Sequence, residues 1–303
     1  HIVSADDLSD DATQSIGETL DDLLGVASAD YGAAVGQPII RGMSGSRIKI
    51  LENGIVNRDV SGLGADHFND IDLSNAQQIE IVRGPSSLLY ANGTVGGIIN
   101  VVDNSIPNYE VERVVKVGVE SQSVNDGDAQ SLSFQNNFDN VNVTFSYKNT
   151  SLGNYDITSG AVINSDEEEN HEEDEHEEEH HEEDKGYLAN TDFETETTKF
   201  GVSTVKDWGY LGLSVSNTES SYGIPFHGDD HSEHGDEHDE DHDDEEEHDE
   251  HEGERIFTNS ESDKFDIKGS YNFDGLIANK VDFFFRDSDY SFTEQHAEEE
   301  HDE

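Results

Sequence analysis

Apolar and polar residues alternate with a period of two in seven short runs spread over the last two thirds of the chain. Val115, Val117 and Val119 stand against Lys116, Gly118 and Glu120; Leu132 and Phe134 stand against Ser131, Ser133 and Gln135. Val141, Val143, Phe145 and Tyr147 alternate with Asn142, Thr144, Ser146 and Lys148. Further runs carry Phe200 and Val202; Leu211, Leu213 and Val215; Phe265, Ile267 and Tyr271; and Val281, Phe283 and Phe285, the last flanked by Asp282 and Arg286. Strands with one apolar face fit a half-buried antiparallel sheet, or a barrel with lipid outside and water inside.

The lengths of the connections separate these two readings. Short links are predicted at 138–141, 206–209 and 274–279, and long ones at about 149–196 and about 217–260, with another opening near Glu294. Successive links of an up-and-down barrel fall on alternate rims. Short turns on one rim and long loops on the other is the outer-membrane arrangement, with the long loops extracellular. Seven strands cannot close such a barrel, and open edges are not tolerated in lipid. The chain is therefore read as a fragment, with further barrel strands and a signal peptide outside it.

The first third reads differently, as a small α+β unit. Ser15-Ile-Gly-Glu18 has the form of a capping box, with Ile16, Leu20, Leu23 and Leu24 on one helical face and Gly25 as the stop. Residues 47–51 lead into Asn53-Gly54, a two-residue hairpin signal, and Ile55-Val56 return. Ser74 and Gln77 are placed to cap a second short helix. The apolar runs 79–81 and 98–102 read as buried strands.

Charge changes the functional picture. Acidic residues outnumber basic ones 71 to 16, for a formal net charge of −55. Nucleic acid is excluded as a partner, because phosphate contacts need Lys and Arg. Two runs hold much of the excess: 14 acids in 166–184 and 17 in 227–254, with no Lys or Arg in either. The chain has no cysteine, hence no disulfide, thiolate ligand or cysteine nucleophile.

Most of the histidines sit inside the acidic runs: His171, His176, His180 and His181 in the first, and His227, His231, His234, His238, His242, His248 and His251 in the second. His296 and His301 follow near the end. Imidazole with carboxylate and no thiolate suits zinc and also accepts Cu(II), Ni(II) or Fe(II). A solvated acidic bristle needs no imidazole, so these loops are read as weak, exchangeable metal-capture sites that together raise the local metal concentration. Asp66-His67 is a further carboxylate–imidazole pair, alone in the first third.

The segment 79–102, IEIVRGPSSLLYANGTVGGIINVV, closely resembles the end of the plug domain of TonB-dependent outer-membrane receptors. Gln37-Pro-Ile-Ile-Arg-Gly42 resembles that family's P-x-I-R-G motif, and Arg47-Ile-Lys-Ile-Leu-Glu-Asn-Gly54 its hairpin. The resemblance covers about 1–105 and implies a plug at 1–105 followed, over 106–303, by the first seven or so strands of a 22-stranded antiparallel transmembrane barrel. It assigns Arg41, Gly42, Arg83, Gly84, Pro85, Gly96 and Gly97 to plug architecture rather than chemistry. Asp59-Val-Ser-Gly-Leu63 ahead of Asp66-His67 is similar to the plug loop of the zinc-uptake members, in which the Asp-His pair binds zinc. Asp66 and His67 are thereby implied as half of a coordination shell.

The expected function is import of zinc or a similar divalent transition metal across the bacterial outer membrane, without covalent chemistry or a catalytic cofactor. The resemblance implies outer-membrane lipid and the TonB–ExbB–ExbD complex as partners. The alternatives are a receptor for a metal chelate (siderophore, haem or cobalamin) and a non-transporting metal-buffering surface protein. No nucleophile–base grouping stands out for an enzyme.

Overall fold

The computed structural model describes residues 2–4, 15–32, 35–64, 66–84, 94–158, 161, 186–225, 255–274 and 278–297. Expectations for Pro85 and for every histidine of the two acidic runs lie outside the described residues.

The N-terminal unit is built on a mixed sheet. Strands β1 (Ile2–Ser4), β4 (Ile48–Glu52), β5 (Ile55–Val56), β6 (Ala76–Val82) and β7 (Gly97–Asp103) lie in the order β1-β6-β7-β4-β5. Strand β4 runs parallel to β7, whereas β6 and β7 are antiparallel, Ile79 opposite Val101 and Ile81 opposite Ile99. A separate hairpin joins β2 (Val26–Asp30) and β3 (Gly36–Ile40). Helix α1 (Ile16–Leu20) packs on it, capped by the Ser15 hydroxyl, which accepts from Glu18 N–H at 3.1 Å. Ile16, Leu20, Ile40, Ile48, Ile79, Ile81, Ile99 and Val101 form the core. Asn53 and Gly54 both adopt positive φ, 54° and 87°, as a primed hairpin turn requires.

Two local expectations fail here. The helix stops at Leu20 and Leu24 is 94% exposed, because the chain leaves through tight i→i+3 turns before Gly25, at φ 77°, turns it into β2. No helix follows Ser74, whose N–H and hydroxyl both donate to the Asp72 carboxylate, so the hydroxyl is not free to cap a helix, and β6 starts two residues later.

Every period-two run lies in one seven-stranded antiparallel sheet, order β16-β15-β14-β13-β10-β9-β8. Its strands are β8 (Val114–Gln122), β9 (Gly127–Phe138), β10 (Val141–Leu152), β13 (Phe193–Lys206), β14 (Gly209–Gly223), β15 (Arg255–Asn272) and β16 (Lys280–Ala297). Two-residue strands β11 (Tyr155–Asp156) and β12 (Tyr187–Leu188) pair at the root of the first long connection. One face of the wall exposes Val115, Val117, Val119, Phe200, Leu211, Leu213, Val215, Phe283 and Phe285; the other buries Asn142, Thr144, Ser146, Lys199, Ser203, Ser214, Ser262 and Asp266. Apolar outside and polar inside is the order a lipid-facing barrel wall needs, with the plug occupying the polar side. Trp208, Tyr271 and Phe273 cluster at the short-turn rim, ring centroids 6.0 and 6.3 Å apart, where an interfacial aromatic girdle belongs.

The strands outrun their apolar alternation. The long connections shrink to 153–192 and 224–254, and β16 continues to Ala297 instead of opening a loop at Glu294. The added lengths, such as Asn149-Thr150-Ser151 and Thr218-Glu219-Ser220-Ser221, are polar on both faces. They pair fully beyond the lipid band, where alternation has no cause. The β8–β9 link at 123–126 is a short turn on the long-loop rim. This sets a topology test: an epitope inserted at Asp126 of the full-length protein should be labelled on intact cells, and one at Trp208 only after permeabilisation. The reverse result would invert the orientation.

Candidate functional site

Asp66 and His67 sit in the loop that leaves β5 and returns to β6, and Asp59 organises that loop. One Asp59 oxygen accepts from the N–H (3.1 Å) and hydroxyl of Ser61; the other accepts from Asn57 Nδ2 (2.8 Å) and from the Asp70 N–H (3.0 Å). A single carboxylate thus ties both ends of the loop and caps the 3-10 turn at Val60–Gly62. Burial pushes the Asp59 carboxyl above its usual range, against the pull of its bonds to Ser61 and Asp70. Gln37 Nε2, buried on β3, donates to the carbonyls of Ser61 (3.2 Å) and His67 (2.7 Å), which fixes the backbone beneath the pair.

The wall grips the same loop. The Phe68 N–H donates to the Tyr222 hydroxyl at 3.1 Å, and the Phe68 ring packs on Phe193 and Tyr222 with centroids 5.1 and 6.2 Å away. Tyr290 hydrogen-bonds the backbone at Val60. The His67 ring meets Phe292 edge-on at 5.3 Å. Phe193, Tyr222 and Phe292 all lie toward the rim that carries the long connections, so Asp66 and His67 occupy that end of the plug. Both are half-buried, and the side chains turn around Gly64, where an added Cβ would fall 2.3 Å from Asp66 Oδ1 and 3.2 Å from His67 Cδ2. His67 Nδ1 is buried and has no hydrogen-bond partner among the described residues. An unclaimed imidazole nitrogen beside a carboxylate fits a borderline-soft divalent cation. Among the described residues no group of three or more His, Asp or Glu is assembled to complete a shell.

Six of the seven motif residues assigned to plug architecture lie among the described residues. Arg41 and Gly42 take positive φ in the turn after β3, and Gly84 (φ 80°) follows β6. Arg83 Nη1 donates to the Leu24 carbonyl at 2.8 Å, tying α1's exit to β6. A Cβ at Gly96 would crowd Ile48 and Met43, at 3.0 and 3.1 Å. Gly97 starts β7 at φ 146°.

Sequence reasoning missed a buried ion cluster between plug and wall. Glu52, at the end of β4, receives Lys199 Nζ (2.9 Å) on one oxygen and Arg286 Nη2 (3.2 Å) and Lys264 Nζ (3.5 Å) on the other. Lys199 also reaches Asp103 at 3.3 Å, Lys264 reaches Asp70 at 3.1 Å, and Arg286 forks onto Asp266 with two bonds of 2.7 Å. Burial alone would raise the Glu52 carboxyl; Lys199, Lys264 and Arg286 hold it far below its usual range instead. The signal was available: Lys199, Lys264 and Arg286 fall at inward-facing strand positions and are buried there, where charge survives only when paired.

The family described as TonB-dependent Receptor Plug Domain matches residues 1–98. The match covers about the first third of the chain. The chain is 29% identical over 119 residues to a vitamin B12 transporter, BtuB, of Photobacterium profundum, covering 39% of this chain and 19% of that protein. By structure it resembles the copper transporter OprC (TM-score 0.64, 13% identity, 98% of this chain and 37% of that one). It also resembles the ferric-catecholate import receptor Fiu of E. coli K12 (TM-score 0.62, 15% identity, 96% and 38%). The chain thus spans about a fifth to two fifths of the length of these proteins. The wall resembles the corresponding antiparallel strands of these structures. Proteins of the matching family are outer-membrane β-barrels, and those the chain resembles are transporters and receptors.

Proposed function

We propose that the chain is the plug and first wall of an outer-membrane importer for zinc or a similar divalent transition metal, energised by the TonB–ExbB–ExbD complex. The observation that carries the reading is the Asp66–His67 pair, held at the outer end of the plug by Asp59, Gln37, Tyr222 and Phe292, with one imidazole nitrogen unclaimed. The pair takes two positions of a tetrahedral shell; the others come from barrel elements or loop histidines. The histidines of the acidic runs act ahead of it as exchangeable collectors. No bond is made or broken: metal is gathered, held and released inward.

A second reading is import of a metal chelate or cobalamin, favoured by the similarity to a vitamin B12 transporter. The test is uptake by cells carrying the full-length protein. Radioactive zinc accumulating in a TonB-dependent way, unaffected by excess cobalamin or ferric siderophore, is expected. Cobalamin or siderophore uptake without zinc uptake would replace this reading with the second.

A further inference from the structure

The plug touches the wall along a defined set of its own elements. Its β4–β5 hairpin is pinned through Glu52 to Lys199, Lys264 and Arg286, on three different strands. The end of β7 is pinned through Asp103 to Lys199 and is locked to the hairpin by paired Asn53–Asp103 bonds of 2.9 and 3.2 Å. The loop bearing Asp66 and His67 is pinned through Asp70 to Lys264 and through Phe68 to Tyr222.

The segment from plug to β8 does not hang free either. The Ser105 carbonyl accepts from Thr144 Oγ1 (2.8 Å), the Pro107 carbonyl from Ser203 Oγ (2.6 Å) and the Tyr109 carbonyl from Asn142 Nδ2 (2.8 Å), while the Val111 N–H donates to Asn142 Oδ1 (3.1 Å). Gly201 and Gly212 clear its path: a Cβ there would lie 1.9 Å from the Ser105 carbonyl oxygen and 2.4 Å from Ile106 Cγ2. A backbone laid across an inner wall in this way, with the Ser105, Pro107 and Tyr109 carbonyls claimed by wall side chains, leaves buried polar groups orphaned if it lifts.

We infer that the β4–β5 hairpin, the loop carrying Asp66 and His67, the end of β7 and the linker form a stator: a part of the plug that stays on β10 and β13–β16 while transport proceeds. The inference rests on the proposed importer reading. It adds that the cation pair does not travel with a moving plug. Release must come from rearrangement of other plug elements or of the remaining ligands.

Two wall positions beneath the stator report on it. Ser146 lies opposite Lys199 in the β10–β13 register, and Ser262 is two residues from Lys264; both are buried on the plug side, and the Ser146 hydroxyl has no partner among the described residues. In the full-length protein, Ser146→Cys and Ser262→Cys are labelled with a small maleimide in cells importing zinc and in cells whose proton-motive force is collapsed, with parent background subtracted. Labelling within about twofold of the de-energised level, against complete labelling after denaturation, supports the stator. Labelling that climbs several-fold with zinc uptake overturns it, since the wall beneath would have been uncovered. Parent cells that import no zinc would count against the importer reading instead.

Discussion

Replacing Asp66 and His67 together with alanine is expected to lower zinc uptake by the full-length protein by more than about tenfold at limiting metal, with surface abundance unchanged. A site of about four ligands that loses two keeps neither its geometry nor its affinity, and disturbing even the groups that orient ligands costs about 10–100-fold. The loop itself should survive, because its order comes from Asp59, Gln37 and the Phe68–Tyr222 contact rather than from the two ligands. Leu63→Ala is the matched control: that side chain is 85% exposed in the same loop and should leave uptake unchanged. The histidines of the acidic runs are redundant, so single substitutions there should have little effect. Parental uptake by the double variant, with uptake abolished by deleting the acidic runs, would move selection from the plug to the loops.

Periodicity carried the wall because each strand sits between two media. Lipid on one side and the plug on the other force alternation, and Val115 to Val119 or Leu211 to Val215 show it without help from any partner. Beyond the lipid band that pressure ends, which is why the outer reaches of β10, β14 and β15 read as loop. Propensity did worse in the plug. Ser74 offers a helix cap in sequence, yet Asp72 claims its hydroxyl and N–H; Leu24 fits a helical face that the chain has already left. The Asp66–His67 pair stood out as a candidate because the carboxylate and the imidazole are adjacent in sequence. The ion cluster did not, since Glu52 and Lys199 meet across 147 residues, and no local pattern pairs them. What sequence could have raised was a question: why an acid-rich chain places Lys199, Lys264 and Arg286 on the inward parity of three strands.

Glu52→Leu should be the most damaging single substitution at the seat of the plug. It removes the one carboxylate shared by Lys199, Lys264 and Arg286 and leaves three buried cations with Asp103, Asp70 and Asp266 alone. Breaking a buried pair from one side costs about 3–5 kcal/mol, because the desolvated partner keeps its charge and loses its counter-charge. Lys199→Met should cost less, since Glu52 keeps two cations, and combining it with Glu52→Leu should recover part of the loss. Thermal release of the plug from purified full-length protein, followed by protease sensitivity, reads the order. The pH dependence has a defined sign. A carboxyl whose folded value lies below its unfolded one contributes fully above its unfolded value and loses that contribution progressively as pH falls from there through the folded one. Glu52 is held far below the ordinary carboxylate range, so between about pH 8 and about pH 5 it should contribute fully and the seat should not loosen on its account. A plug that loosens on mild acidification in the parent but not in Glu52→Leu would mean that Glu52 titrates in that window and that the three cations do not hold it ionised.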